Sequence, residues 1–133
     1  MGSADGTLAS KVLEFEAVLK QLVKVAKDPA FTVADWAPLA EFAATGEFER
    51  IGTWMEVMDW TQYTGFLTQW AKASLGFDTV LRRISELPGL VYLELEERHI
   101  RRDGIASVHS LTVFEFTDDG KICHLDVYLQ QTR

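Results

Sequence analysis

The hydrophobic period of the chain changes once along its length, near Phe77. Before that point apolar residues recur at intervals of three and four, the spacing of one helix face, and a short extended segment from Phe48 to Trp54 interrupts them. After it, long strand-like segments are separated by three hairpin signals, Pro88-Gly89, Asp103-Gly104 and Asp118-Asp119-Gly120. Helices followed by a run of antiparallel strands predict an α+β fold with three N-terminal helices packed on an antiparallel sheet.

Capping signals predict where each helix begins and ends. Small polar residues at the starts can accept hydrogen bonds from free backbone N–H groups, and glycine or proline follows the ends. The predicted boundaries are Thr7 to Asp28-Pro29, Thr32 or Asp35 to Gly46, and Asp59 to Gly76.

Length and composition limit the classes of function. The 133 residues predict a lead over 1–6 and a single domain over 7–133. A net charge of −7 argues against nucleic acid and against an anionic membrane as partners. The lone Cys123 excludes an internal disulfide and favours a reducing cytoplasm, and no 18-residue apolar run predicts a membrane helix.

No cofactor or metal motif is present in the sequence. His99 and His109 are expected at the surface near a hairpin tip, and the three histidines lack the spacing of a metal site. Any chemistry is therefore expected to be cofactor-free proton transfer.

The hairpins predict which strand residues share a face, because side chains alternate along a strand. A two-residue turn at Asp103-Gly104 places three residues of one strand opposite three of the next. These pairs are Glu97 with Ser110, Leu95 with Thr112, and Leu93 with Phe114.

The final hairpin allows two registers. A two-residue loop puts Leu125, Val127 and Leu129 on the face just described, whereas a three-residue loop puts His124, Asp126 and Tyr128 there. We favour the three-residue loop, because it places Gly120 where a positive φ is needed. It leaves an apolar stripe on the opposite face that suits a homodimer interface, made of Leu111, Val113, Leu125, Val127 and Leu129.

The favoured register predicts an apolar pocket with a few polar groups, the composition of a small-molecule site. Asp126 lies mid-strand, where Asp is depleted, and is the predicted proton-transferring carboxylate. Arg50 is the predicted cation, with His124 and Glu97 in support. The predicted ligand contacts are Phe48, Tyr63, Trp70, Leu93, Leu95, Ser110, Thr112, Phe114 and Tyr128.

The order of elements and the closing segment from Gly120 to Val127 resemble the nuclear-transport-factor-two-like superfamily, in particular its SnoaL-like polyketide cyclases, ketosteroid isomerase and limonene epoxide hydrolase. The resemblance covers about Leu8 to Gln131. It implies a strongly curved sheet forming a cone around one pocket, with the last-strand His and Asp pointing inward. By the same resemblance, Asp126 and Glu97 match acids of limonene epoxide hydrolase, whereas its catalytic Arg falls on Leu95.

Two functions follow as hypotheses. The first is an enzyme of isomerase, cyclase, dehydratase or hydratase type acting on a small apolar or polycyclic substrate. The second is a non-catalytic module that binds a hydrophobic ligand or serves as a dimeric scaffold. Asp126 inside the pocket is the expectation on which the first depends.

Overall fold

The first and third helices form where their caps predict. The computed structural model describes residues 7–131, so the predicted lead lies outside the described residues. Helix α1, Leu8–Val25, begins at Thr7, whose side chain accepts a hydrogen bond from the Ser10 backbone N–H. Helix α3, Trp60–Ala73, begins at Asp59 with a reciprocal capping box to Gln62.

The predicted second helix is much shorter than expected. Residues 33–36 form a 3₁₀ turn, and α2 covers only Ala37–Ala40. Beyond it the backbone turns to the last strand, where Ile122 N–H donates to Phe42 C=O at 2.8 Å and Ala44 N–H donates to Ile122 C=O at 2.9 Å. These backbone groups pair with a strand, so they cannot extend the helix to Gly46.

Within residues 7–131, six strands form one mixed sheet. Its first strand runs parallel to its last, a pairing that the prediction of a purely antiparallel sheet missed. The segment expected as one strand is a small hairpin, in which Met55 has a φ of 66°. In the order β2-β1-β6-β5-β4-β3, the strands are β1 Glu49–Ile51, β2 Val57–Met58, β3 Phe77–Leu87, β4 Leu90–Arg101, β5 Gly104–Phe116 and β6 Ile122–Gln130.

The turn between β4 and β5 lies one residue earlier than predicted. Arg101 pairs with Gly104, so Arg102 and Asp103 form the turn. The pairing is thereby displaced by two residues, and Glu97 lies opposite Val108 instead of Ser110. An even displacement preserves the faces, so the predicted inward set on these two strands stands.

The last hairpin has the predicted three-residue loop, but the side chains of its second strand face the opposite way from the prediction. Thr117 N–H donates to Lys121 C=O at 2.8 Å, and Gly120 has a φ of 82°, which confirms the three-residue loop. Phe116 then pairs with Ile122, but Glu115 pairs with His124, so Cys123 is an extra, bulged residue. One inserted residue inverts the alternation of everything after it.

The core lies between the helices and the concave face of the sheet. Phe15 of α1 meets Phe42 and Phe114 edge-to-face, with ring centroids 6.0 and 5.8 Å apart. Trp36 is buried beside α3 and donates its indole N–H to Thr68 at 2.8 Å. Among residues 7–131, no helix is long and apolar enough to cross a membrane.

Candidate functional site

A cavity of about 320 Å³ opens between the concave face of the sheet, α1 and α3. Its walls are mainly apolar, and its exposed lining residues are Phe66, Arg101, Leu129 and Gln131. Helix α3 contributes two of the predicted ligand contacts, Tyr63 and Trp70. The polar and ionisable groups in the lining are Glu16, Arg50, Tyr63, Glu97, His99, Arg101, Thr112 and Gln131.

Glu16 is the carboxyl most altered by this environment. Burial raises its pKa from 4.5 to about 7, the negative charge of Glu97 adds to the increase, and Lys20 opposes it. A carboxyl of this kind is present in both protonation states near neutral pH. Glu16 can therefore accept and donate a proton at the pH where most enzymes work.

Glu16 is not among the site residues predicted from the sequence, although a signal for it exists. Glu16 comes four residues after Val12 and seven before Val23, and both valines are buried. On a helix these intervals place the three side chains on one side. A charged residue inside a buried helical stripe is the pattern that could have found it.

Glu97 and His99 form a hydrogen-bonded pair on β4. Glu97 Oε1 and His99 Nε2 are 3.0 Å apart, and both side chains are about four-fifths buried. The His99 ring also packs against Phe77 and Trp70, with centroids 5.1 and 6.2 Å apart. The surface position expected for His99 is therefore wrong, whereas the inward position of Glu97 is confirmed.

Arg50 lies on β1 with its guanidinium among aromatic rings. Its Cζ is 5.3 Å from the Phe66 ring centroid and 5.8 Å from that of Tyr63. Nη1 is buried and has no hydrogen-bond partner. The buried Tyr63 has its pKa raised by burial, which Arg50 opposes, so its hydroxyl stays protonated.

Most of the predicted ligand contacts surround the cavity. Tyr63, Trp70, Leu95, Thr112 and Phe114 line it directly. Phe48, Leu93 and Ser110 are buried next to it, and Phe48 stacks on Tyr63 with ring centroids 5.4 Å apart.

The β6 residues predicted for the site are on the other face of the sheet. The bulge at Cys123 brings Leu125, Val127 and Leu129 into the cavity and turns His124, Asp126 and Tyr128 away from it. The expected inward placement of the last three is wrong. The catalytic hypothesis based on Asp126 does not survive this correction.

On the convex face His124 is the centre of a group of carboxylates. Its Nε2 lies 2.9 Å from Asp126 Oδ1, and its Nδ1 lies 3.2 Å from Glu49 Oε1. Burial acts to lower the pKa of His124, but Asp126, Glu115 and Glu49 outweigh it and the pKa is raised. Glu115, His124 and Asp126 offer ligand atoms within 4.8 Å of one another. This group of one histidine and three carboxylates lies outside the cavity.

Comparison with known proteins identifies the fold. No protein-family model and no curated protein sequence matches the chain. An NTF2-like protein from Anabaena variabilis superposes with a TM-score of 0.72 at 13% identity, covering 99% of this chain and 96% of its own. One from Cytophaga hutchinsonii gives 0.67 at 17% identity, with coverages of 98% and 95%. A Jannaschia sp. CCS1 protein, provisionally assigned as a SnoaL-like polyketide cyclase, gives 0.68 at 14% identity, with coverages of 97% and 92%.

These structures define the class of this protein as an α+β cone, in which helices close an open, curled sheet around a cavity. The fold is that of nuclear-transport-factor-two-like proteins, which confirms the fold that the resemblance in the sequence implied. Identities below 20% establish the fold, and one such scaffold hosts many functions.

Proposed function

We propose that this protein is a small-molecule enzyme that performs cofactor-free proton transfer in the cavity. The observation that carries the proposal is Glu16, an acid with a pKa raised to about 7, placed in a mainly apolar pocket. Strongly perturbed carboxyls in clefts are the usual general acids and bases. The reaction class is isomerisation, cyclisation, dehydration or hydration of a small apolar substrate.

Glu16 takes the role that the sequence had suggested for Asp126. In its ionised form it removes a proton from a carbon next to a carbonyl group, and the C–H electron pair passes into an enolate. The neutral carboxyl then returns the proton to the same carbon or, in the dienolate of an enone, to the carbon two positions further along the conjugated chain. Isomerisation by this step needs no oxidant and no external group, whereas dehydration or hydration also releases or takes up one water molecule.

Glu97 and His99 act on this step indirectly. The negative charge of Glu97 helps to hold the pKa of Glu16 up. The hydrogen bond from His99 fixes the Glu97 carboxylate beside the cavity. Glu97 is therefore a positioning residue in this proposal.

Hydrogen–deuterium exchange tests the proposal without knowledge of the natural substrate. A panel of cyclic ketones and enones, with and without a carboxylate substituent, would be incubated with the protein in deuterated buffer, and deuterium at the carbon next to the ketone would be followed by NMR. We expect exchange that increases with pH through an apparent pKa near 7, because the ionised base is required. Glu16→Gln should abolish it, whereas Glu14→Gln, an exposed change on the same helix, should not. Equal exchange by the parent and Glu16→Gln would refute the proposal.

A ligand-binding module is the second candidate. The pairing of Glu97 with His99 favours it, because one of the cavity carboxylates already has a partner in the protein. A module of this kind would bind the same ketones and catalyse no exchange. Calorimetric binding together with the absence of exchange by the parent protein would select this candidate.

We also propose a homodimer formed by the convex face of the sheet, with a revised set of residues. Leu111 and Val113 lie on this face as predicted, next to Tyr92 and the exposed Tyr128. Leu125, Val127 and Leu129 do not belong to it, because they line the cavity. An apolar strip on an open sheet face suits the isologous contact of a two-fold dimer.

A further inference from the structure

The Arg50 guanidinium is a cation without a counter-ion in the described part of the chain. Among residues 7–131 no carboxylate forms a salt bridge with it, and Nη1 is buried without a hydrogen-bond partner. A buried charged donor without a partner is unfavourable, and the rings of Phe66 and Tyr63 offset that cost only in part. The cavity therefore presents a charged donor that can bind an anionic acceptor.

The protein's own cavity carboxylates are poorly suited to this role. Glu97 is already hydrogen-bonded to His99, and burial favours the neutral form of Glu16. Leu125 is the strand partner of Arg50, and the next residue, Asp126, points to the convex face. A carboxylate group on a ligand is well suited to pair with Nη1.

We propose that the ligand is an apolar carboxylate, bound through its carboxylate group to Arg50 while its hydrocarbon skeleton lies against the aromatic wall of the cavity. The inference rests on the proposed function and names the substrate class of the same site. Arginine binds carboxylates with two parallel hydrogen bonds, which fixes the orientation of the ligand. At about 320 Å³ the cavity is at the small end of ligand pockets, so a skeleton of one or two rings fits best.

A second cation in the cavity lining agrees with an anionic ligand. The protein as a whole carries a charge of −7, which opposes the approach of anions. Arg101, however, is an exposed residue of the cavity lining. Its guanidinium adds positive charge to the same cavity as Arg50.

Two probes of the same shape test the proposal, 2-naphthoate and its neutral amide, 2-naphthamide. Their affinities would be measured by isothermal titration calorimetry at pH 6.5. We expect the parent protein to prefer naphthoate by about tenfold or more, as for a charge-assisted hydrogen bond to a buried cation. Arg50→Met should bind naphthoate and the amide with about equal affinity, and it should still bind the amide. Arg82→Met, an exposed arginine of β3 outside the cavity, is the matched control and should keep the parent preference.

Each remaining outcome bears on the proposal. Equal affinities in the parent, no binding of either probe, or a preference retained by Arg50→Met would each overturn it. If Arg50→Met binds neither probe, Arg50→Lys decides, since it keeps the charge and should keep part of the preference. Loss of the preference in Arg50→Lys would also overturn the proposal.

The catalytic proposal and this one fail separately. Glu16→Gln should retain the preference for naphthoate although it abolishes deuterium exchange. A protein that prefers naphthoate but never catalyses exchange would support the ligand class and refute the proton-transfer enzyme.

Discussion

Glu16 makes the stability of this protein depend on pH in a direction that can be measured. Its pKa is about 7 in the folded state and is close to the ordinary 4.5 when the chain is unfolded. Because the folded state holds the proton more tightly, the contribution of Glu16 to stability is fully present below pH 4.5. It is lost as the pH rises through 7.

The size of the effect follows from the two pKa values. The interval between 4.5 and about 7, at about 1.4 kcal/mol for each pH unit, corresponds to roughly 3 kcal/mol. Some contact of the side chain with solvent reduces this value, so roughly 2–3 kcal/mol is the expectation. Glu16→Gln resembles the neutral acid at every pH. The free energy of unfolding of the variant relative to the parent should therefore rise by that amount between pH 4 and pH 8.

Urea unfolding followed by tryptophan fluorescence at several pH values measures this difference. A constant offset between the two proteins would report only the fit of the amide in the pocket, so the trend with pH is the test. Glu14→Gln, two residues earlier and exposed, controls for the loss of one carboxylate from α1. A difference that does not change from pH 4 to pH 8 would show that Glu16 is not buried in the way that the structure indicates.

Three further outcomes are expected. Val113→Glu should convert the dimer to a monomer in light scattering. Val127→Glu should leave the dimer intact and lower the free energy of unfolding, because Val127 lines the cavity. The reverse pattern would show that the two residues lie on the opposite faces of the sheet. His124→Asn should lower the urea midpoint more at pH 5.5 than at pH 8.5. The reason is that the pKa of His124 is raised in the folded state, so its stabilising effect is present below pH 6.5 and is lost at higher pH. A larger loss at pH 8.5 would be inconsistent with the pairing of His124 with its carboxylates. Phe114→Ala should cost about 3–5 kcal/mol, measured by the same unfolding assay, and a cost below about 1 kcal/mol would argue against its burial.

The sequence by itself determined the class of fold, because its signals are local. The caps at Thr7 and Asp59 act within one helical turn, and the change of hydrophobic period near Phe77 separates helices from strands. Gly120 carries the positive φ that its loop requires. Each of these features is decided by neighbouring residues, and the structure confirms each of them.

Tertiary contacts decided where the second helix ends and which residues face the cavity. The backbone of residues 42–44 pairs with Ile122, a contact that no local pattern specifies. The bulge at Cys123 has no local signature comparable to Gly120. It nevertheless places Val127 on the concave face, where Asp126 had been predicted. A register is a property of two strands and what they pack against, so a single strand's sequence leaves it open.

The candidate site shows the same division. Alternation over residues 48–50 is sufficient to place Phe48 and Arg50 on one side, where both lie against Tyr63, because it involves only adjacent residues. The altered acidity of Glu16 depends on the packing of α1 against the sheet and on the charge of Glu97, eighty-one positions along the chain. Burial and through-space charge come from the assembled fold, and they are the physical reason that this carboxyl became the centre of the proposed chemistry.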